Sequence, residues 1–223
     1  MPRLHLLRHA QPDFAGDYDS ITPLGEQQAA WLGEHFAARG VRFARAICGS
    51  LVRQRQTLAR ILLRLDDAPT LEVDPRFNEY DPAHVLAAFG PGNDAVLRAA
   101  GDRRAYFAAL RESLRAWSRR EDAAGGGETW AAFGKRVLTA AAESCAGLEP
   151  QADVLVVTSG GVIGRLVGET LGTGADAAIE LNLQTRNTGI TELVIGRTAS
   201  RLLSFNAVPH LERPDRAHAV THS

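Results

Sequence analysis

The sequence has a single lysine and two cysteines among its 223 residues. Because Lys135 is the sole lysine, 24 of the 25 basic residues are arginines. No Gly-x-x-x-x-Gly-Lys-Ser/Thr segment surrounds that lysine, which excludes a P-loop nucleotide site. The cysteines, Cys48 and Cys145, stand far apart and form neither a CxxC pair nor a zinc-ligand spacing. We expect both to be reduced, buried thiols of a cytoplasmic protein.

Long apolar runs and an excess of one charge are lacking as well. The strongest apolar run, at 154–157, is far shorter than the ~20 residues that cross a membrane. The first apolar stretch is interrupted by His5 and Arg8 and does not resemble a signal peptide. The formal net charge is −1, which gives no overall attraction for nucleic acid or an anionic membrane. We therefore expect no nucleic-acid partner and no membrane partner, and the sequence does not indicate an oligomeric state.

The sequence does contain enough apolar material for a large core, since 45% of its residues are hydrophobic. A chain of this length typically forms one domain, or one domain with an insertion. We expect a single domain over residues 1–212, with a helical insertion at about 81–121. The polar residues 213–223 are expected to form a flexible tail.

Predicted strands and helices alternate along the chain. Short apolar runs predict strands at 4–7, 43–48, 70–73, 154–157, 188–195 and 201–205. Apolar periodicity and capping residues predict helices at 22–40, 51–65, 128–146 and 163–171. This alternation predicts an α/β fold, a three-layer α/β/α sandwich with a mostly parallel central sheet.

Unusual residues follow three of the predicted strands. Arg8 and His9 follow the first strand, Arg53 comes shortly after the second, and Ser159 and Gly160 follow the fourth. Sites in open parallel sheets form beyond the carboxyl ends of the strands, so these residues are expected to meet. Two arginines can bind phosphate oxygens in bidentate fashion. A helix that begins after Ser159 would add backbone N–H groups that favour an anion.

His9 is the candidate nucleophile of such a phosphate site. Nearby guanidinium charges disfavour a protonated imidazole, and a neutral imidazole can attack a phosphoryl group. A proton donor for the leaving oxygen is then required. Glu79 lies between Phe77 and Tyr80, where apolar surroundings would raise its pKa and let it act as acid and then as base. Asp81 is the competing choice, and a solvated loop carboxylate is the alternative interpretation of Glu79.

Ordered motifs along the chain resemble those of the histidine phosphatase superfamily, the phosphoglycerate-mutase-like proteins. The resemblance covers about residues 4–211. The family motif Arg-His-Gly corresponds to Arg8-His9-Ala10, and the motif Leu-Thr-x-x-Gly-x-x-Gln-Ala corresponds to residues 21–29. The motif Ser-x-Leu-x-Arg-Ala-x-Gln-Thr-Ala corresponds to residues 49–58, and Leu-x-Glu corresponds to residues 77–79. The motif Gly-Glu-Ser corresponds to Gly127-Glu128-Thr129, with Arg136 downstream.

The resemblance implies a metal-independent phosphatase that needs no cofactor and acts on a small phosphorylated substrate. Arg8, Arg53, Ser159 and backbone N–H groups such as that of Gly160 would hold the phosphoryl group. His9 would form a phosphohistidine intermediate, and Glu79 would protonate the departing alcohol. The longer segment that true mutases carry after the acid is not found here, which favours a phosphatase over a mutase.

One departure from the family affects the expected activity. The family usually has a second catalytic histidine in a His-Gly-Gly-Val-Ile turn, and Ser159 stands in that position. Loss of a charged donor can cost about 3–4 kcal/mol, or a rate factor of roughly 10²–10³. Three outcomes are then open. The enzyme would be slower, or another residue such as His84, His210 or an arginine would compensate. Alternatively, the protein would be a regulatory module that binds phosphorylated ligands without useful turnover.

Spacing argues against two other classes of site. The turn Gly160-Gly161-x-x-Gly164 lacks the Gly-x-Gly-x-x-Gly spacing of dinucleotide sites. No His-Glu-x-x-His zinc motif is present.

In the family, the inserted region shapes the pocket for the leaving group. Here it contains Arg98, Arg103, Arg104, Tyr106 and Phe107. Its three arginines would favour a second anionic group on the substrate.

Overall fold

The computed structural model describes residues 1–14, 16–90, 102–196 and 199–222. Part of the predicted insertion, including Arg98, therefore lies outside the described residues. Within the described part of the chain, no helix is both long enough and apolar enough to cross a membrane. Both cysteines are free and buried, as expected.

Six strands form one mixed sheet. They are β1 (Arg3–Arg8), β2 (Phe43–Cys48), β3 (Leu71–Val73), β4 (Asp153–Thr158), β5 (Ile190–Val194) and β6 (Arg201–Ala207). The strand order is β3-β2-β4-β1-β5-β6. The pairs β2–β3, β2–β4 and β1–β4 are parallel, whereas β1–β5 and β5–β6 are antiparallel. The prediction of a mostly parallel sheet is confirmed for the half of the sheet that carries the candidate site.

Helices cover both faces of the sheet. They are α1 (Pro23–Ala38), α2 (Val52–Leu62), α3 (Pro82–Phe89), α4 (Arg103–Ser118), α5 (Trp130–Ser144), α6 (Gly160–Thr170) and α7 (Ala175–Gln184). Alternate residues of β4 enter two different apolar cores: Val154 and Val156 face one, and Leu155 and Val157 face the other. A central strand that is buried on both faces places the sheet in the middle layer, as the three-layer prediction requires.

Local signals explain which helices the sequence predicts. The Thr22 side chain accepts a 3.0 Å hydrogen bond from the Gly25 N–H, and Pro23 occupies the first turn of α1. The helix is followed by Gly40, whose φ of +63° suits glycine. Helix α7 was not predicted, because Gly174 at its start makes no side-chain capping bond.

The C-terminal residues differ from the expected flexible tail. A 3-10 helix spans Pro214–Ala219, and Ala219 is fully buried. The side-chain amide of Gln28 on α1 donates to the Ala219 carbonyl at 2.7 Å and to the Thr221 hydroxyl at 2.9 Å. The polar composition of the tail concealed this packing, because its contacts come from a glutamine that lies almost two hundred residues earlier.

A pair of leucine variants tests the position of the core. Leu155→Ala on β4 should lower the free energy of unfolding by about 2–5 kcal/mol, because the side chain is fully buried and its removal leaves a cavity. Leu203→Ala on β6 is the matched control, since that side chain is 54% exposed and should cost about 0.5 kcal/mol or less. Urea unfolding followed by circular dichroism measures both. Equal losses would contradict this placement of the core.

Candidate active site

Backbone hydrogen bonds bring the ends of β1, β2 and β4 together. The His9 N–H donates to the Thr158 carbonyl at 2.8 Å, and the Gly49 N–H donates to the Val157 carbonyl at 3.4 Å. The residues that follow these three strands therefore lie side by side at one edge of the sheet. This is the edge at which parallel α/β sheets form their sites.

Four of the residues predicted for the site line a single pocket. They are Arg8, His9, Arg53 and Glu79. The rest of the wall is largely aromatic or apolar and consists of Tyr18, Tyr80, Pro82, Tyr106, Phe107, Leu110, Asn182 and Leu183. The pocket thus has a charged floor and an apolar outer wall.

The His9 imidazole is held as a neutral tautomer with Nε2 unprotonated. Its Nδ1 lies 2.8 Å from the Ala10 carbonyl oxygen, which can only accept, so Nδ1 carries the proton. The Arg53 Nε–H donates to Nε2 at 3.3 Å. Burial lowers the pKa of His9 well below its ordinary value, and the charges of Arg53 and Arg8 lower it further. Nε2 therefore keeps an unprotonated lone pair, which accepts the Arg53 N–H and can attack an electrophile once that hydrogen bond is broken.

Two buried guanidinium groups flank the imidazole. Arg8 Nη1 donates to the Thr185 carbonyl at 2.5 Å, and Arg53 Nη1 donates to Asp19 Oδ1 at 2.7 Å. The other Asp19 oxygen accepts the Val52 N–H at the start of α2, at 3.1 Å. Burial lowers the pKa of Arg8, although its range remains far above neutrality. Sequence reasoning missed Asp19, which belongs to no motif and reaches Arg53 only through folding of its loop.

Glu79 lies on the opposite wall with its carboxylate against the start of α6. One oxygen accepts the Gly161 N–H at 2.9 Å. A Cβ on residue 161 would overlap the Glu79 carboxylate, so this approach requires glycine. Burial raises the pKa of Glu79, and this effect outweighs the Gly161 N–H and the two arginines, which lower it. Asp81, the competing candidate, instead caps α3 by accepting the Ala83 and His84 N–H groups.

The Gly-Glu-Ser-like segment supports Glu79 from behind. Arg136 forms a 2.7 Å ion pair with Glu128. The same guanidinium donates to the carbonyls of Arg76 and Asn78 at 2.7 and 2.8 Å. Arg136 therefore holds the backbone that leads directly into Glu79, and it does not face the pocket itself.

The Gln-Thr pair of the α2 motif supports His9 and the loop before α1. The Thr57 hydroxyl accepts the Ala10 N–H at 3.0 Å, next to His9. The Gln56 side-chain oxygen accepts the Ile21 N–H at 3.0 Å. These two residues thus join the α2 motif to the motif at Arg8-His9-Ala10, 47 residues before Thr57, and to the motif that begins at Ile21, 35 residues before Gln56.

Ser159 and Gly160 do not line this pocket. The Ser159 side chain is 1% exposed, and its hydroxyl accepts a 2.9 Å hydrogen bond from the Gln54 amide. Gly160 packs closely against Asn182 and Thr185. Both residues lie at the start of α6, directly before the Gly161 N–H that binds the Glu79 carboxylate. Gln54 was not predicted as a site residue, although its difference from the alanine of the family motif was a visible signal.

The residues suggested as substitutes for the missing histidine also lie elsewhere. His210 is buried against the Thr188 hydroxyl at 2.9 Å, and burial lowers its pKa to about 3. His84 packs against Gly127. Arg103 donates to the His222 carbonyl at 2.8 Å and stacks on Phe14. Arg104 is exposed.

Across the described ranges, no group of three or more His, Cys, Asp or Glu side chains is arranged to hold a metal ion.

Comparison with known proteins identifies one family. The model of the histidine phosphatase superfamily, branch 1, matches residues 4–85 and 98–208. A broad-specificity phosphatase of Saccharomyces cerevisiae is 39% identical over 67 residues, which are 27% of this chain and 29% of the yeast protein. The chain therefore spans less than a third of the curated relative that it matches.

Solved structures show the same fold along most of the chain. The protein YhfR of Bacillus stearothermophilus superposes with a TM-score of 0.71 at 20% identity, covering 95% of this chain and all (100%) of that one. A mycobacterial glucosyl-3-phosphoglycerate phosphatase, solved in complex with VO3, superposes with a TM-score of 0.66 at 25% identity. That match covers 92% of this chain and 98% of the other.

The protonation state of His9 can be measured directly. In a histidine NMR titration from pH 8 to pH 5, Nε2 of His9 should remain unprotonated, because burial and two positive charges disfavour the imidazolium. Arg53→Gln should raise the His9 pKa, since it removes one of those charges while burial remains. Arg60→Gln, on the same helix and paired with Glu26 outside the pocket, should leave the titration unchanged. A His9 that titrates near 6.5, as in model peptides, would contradict the lowered pKa that burial and the two arginines impose.

Proposed function

Because this chain belongs to the histidine phosphatase superfamily, we propose that it hydrolyses a phosphomonoester without a metal ion, through a phosphohistidine on His9. One observation carries the proposal. An unprotonated imidazole nitrogen lies between two guanidinium groups and shares a pocket with a carboxyl group whose pKa is raised. The arrangement provides a nucleophile, charge stabilisation and a proton donor in one place.

In the first half-reaction, Nε2 of His9 attacks phosphorus and the bond from phosphorus to the leaving oxygen breaks. Arg8 and Arg53 hold the phosphoryl oxygens and stabilise their charge in the transition state. Glu79 transfers its proton to the leaving oxygen, so the product departs as a neutral alcohol. The raised pKa of Glu79 keeps part of this carboxyl protonated closer to neutral pH.

In the second half-reaction, the ionised Glu79 removes a proton from a water molecule. The resulting oxygen attacks the phosphohistidine, the phosphorus–nitrogen bond breaks, and inorganic phosphate is released. His9 is again a neutral imidazole. Glu79 now carries the proton taken from water, which replaces the proton that left with the alcohol. The cycle is balanced without a cofactor.

The outer wall of the pocket suits a leaving group with apolar or aromatic surface. Tyr106 and Phe107 contact each other edge to face, with ring centroids 5.4 Å apart, and Leu110 lies beside them in the wall. The arginines expected to favour a second anionic group, Arg103 and Arg104, are not among the residues that line it. An aryl phosphate is therefore a suitable first substrate. A small phosphorylated substrate and a cytoplasmic location stay predictions.

Phosphate release from p-nitrophenyl phosphate in the presence of EDTA tests the proposed function. Wild type should turn over, and His9→Ala should lose the activity because the change removes the proposed nucleophile. Rapid quenching should trap a phosphoryl group on the peptide that contains His9. His218→Ala is the control, since His218 is exposed and lies outside the pocket.

Three results would contradict the proposal: turnover that EDTA abolishes, turnover that survives in His9→Ala, or no turnover in wild type. In the last case, vanadate binding that depends on Arg53 would support the alternative function, a module that binds phosphorylated ligands.

The role of Glu79 predicts a dependence on the leaving group. Glu79→Gln should lower kcat/KM far more for an alkyl phosphate than for p-nitrophenyl phosphate, because the phenolate leaves without protonation. For the alkyl ester, wild-type kcat/KM should fall as pH rises through the raised pKa of Glu79, and the variant should lose this limb. Glu169→Gln, on an exposed part of α6, is the matched control. Equal losses for both esters would exclude Glu79 as the general acid.

A further inference from the structure

Three departures from the family motifs meet at one place behind His9. Gly49 stands where the motif has serine, Gln54 where it has alanine, and Ser159 where it has histidine. The first two follow β2, and the third follows β4, more than one hundred residues later. Their contact in the fold indicates that they form one unit.

The contacts of this unit are specific. Gln54 is fully buried, and its amide nitrogen donates to the Ser159 hydroxyl at 2.9 Å and to the Phe77 carbonyl at 3.2 Å. The Phe77 carbonyl oxygen can only accept, so it identifies that end of the amide as the nitrogen. The amide oxygen faces Gly49, where a Cβ would overlap it. Glycine at position 49 therefore makes room for glutamine at position 54.

These bonds leave the Ser159 hydroxyl hydrogen unused. Its oxygen accepts from Gln54, the side chain makes no capping bond to α6, and no described residue accepts from it. Ser159 directly follows Thr158, whose carbonyl binds the His9 N–H at 2.8 Å. Among the described residues, the hydroxyl is thus a donor without an acceptor, one residue along the chain from the carbonyl that binds the His9 backbone.

We propose that Gln54 is a positioning residue that holds the Ser159 hydroxyl as a neutral donor to a phosphoryl oxygen, in the place where the family has a charged imidazole. This proposal rests on the function proposed above. A histidine at 159 would extend past the present Oγ position, into the volume that the Gln54 amide occupies. The two positions can therefore change only together.

The pair also affects the pH dependence of the site. Neither an amide nor a serine hydroxyl titrates between pH 5 and 8, whereas an imidazole does. Among the described residues that line the pocket, Glu79 is the group whose pKa burial raises toward that range, whereas His9 stays neutral and Arg8 and Arg53 stay charged. A second histidine would add a further titrating group.

The test compares wild type with Gln54→Ala, Ser159→His and the double variant Gln54→Ala/Ser159→His. For p-nitrophenyl phosphate, each single variant should lose about 10-fold or more in kcat, with a smaller change in KM, because a transition-state donor is displaced. The double variant should exceed both single variants and gain a new limb in its pH profile. Arg55→Ala, an exposed change on the same helix turn, is the control. Thermal unfolding confirms that each variant is folded.

A second double-mutant cycle tests whether Gln54 acts through the Ser159 hydroxyl. Gln54→Ala should lower kcat in wild type but have no further effect in a Ser159→Ala background, since the group that it positions is then gone. A purely structural glutamine would instead give the same loss in both backgrounds, and that result would overturn the proposal. Wild-type kcat in Gln54→Ala would overturn it too, as would a Ser159→His variant that alone matches the double variant.

Vanadate affinity, measured by calorimetry on all of these variants, separates the two proposals. It reports on the phosphoryl site without requiring turnover. If wild type does not turn over, the proposed function fails. Non-additive effects of the substitutions at positions 54 and 159 on vanadate affinity would still support the proposal that Gln54 positions Ser159. Additive affinities would overturn the pair, even in an enzyme whose turnover depends on His9.

Discussion

The imidazole of His9 is buried between two guanidinium groups, where a third positive charge would be costly. Burial and the charges of Arg53 and Arg8 favour the neutral form, and they outweigh the hydrogen bond to the Ala10 carbonyl, which raises the pKa of His9. The Ala10 carbonyl selects the tautomer, Thr57 holds the Ala10 N–H, and the Asn187 amide donates to the His9 carbonyl at 3.1 Å. Each of these partners comes from a different part of the chain. The Ala10 carbonyl thereby orients the ring, and the Thr57 and Asn187 side chains fix the backbone of Ala10 and His9.

In the same pocket, the Glu79 carboxyl group is subject to two opposing effects on its pKa. It lies close to positive charge, which favours ionisation, but burial acts more strongly and favours the protonated acid. The position of this carboxyl depends on two supports outside the pocket. Arg136 binds the carbonyls that precede Glu79, and the Thr158 hydroxyl donates to the Phe77 carbonyl at 2.6 Å. Hydrogen bonds to Thr158 of β4 thus hold both the segment before Glu79 and the backbone of His9. The distance between the acid and the nucleophile is therefore fixed by their contacts with this strand.

Much of this could be predicted from the sequence, because the main site residues follow strands and the strands are short apolar runs. Arg8, His9 and Arg53 are next to such runs, and the α/β alternation predicts that the runs share an edge. The rest depends on contacts between distant segments. Asp19 reaches Arg53 through a loop without a motif, and the role of Gln54 becomes visible only when Ser159 lies against it. Helix α7 has no capping signal, and the terminal residues lack an apolar pattern of their own.

The C-terminal packing has a consequence for biosynthesis. Strand β1 (Arg3–Arg8) pairs with β4 (Asp153–Thr158) and β5 (Ile190–Val194), both of which are synthesised much later. The Thr221 hydroxyl then donates to the Asn187 side chain at 2.9 Å, the residue that holds the His9 carbonyl. His9 is synthesised long before its supports, which are complete only when Thr221 has emerged. A nascent chain therefore carries the nucleophile beside a strand that lacks its partners until β4 and β5 are made.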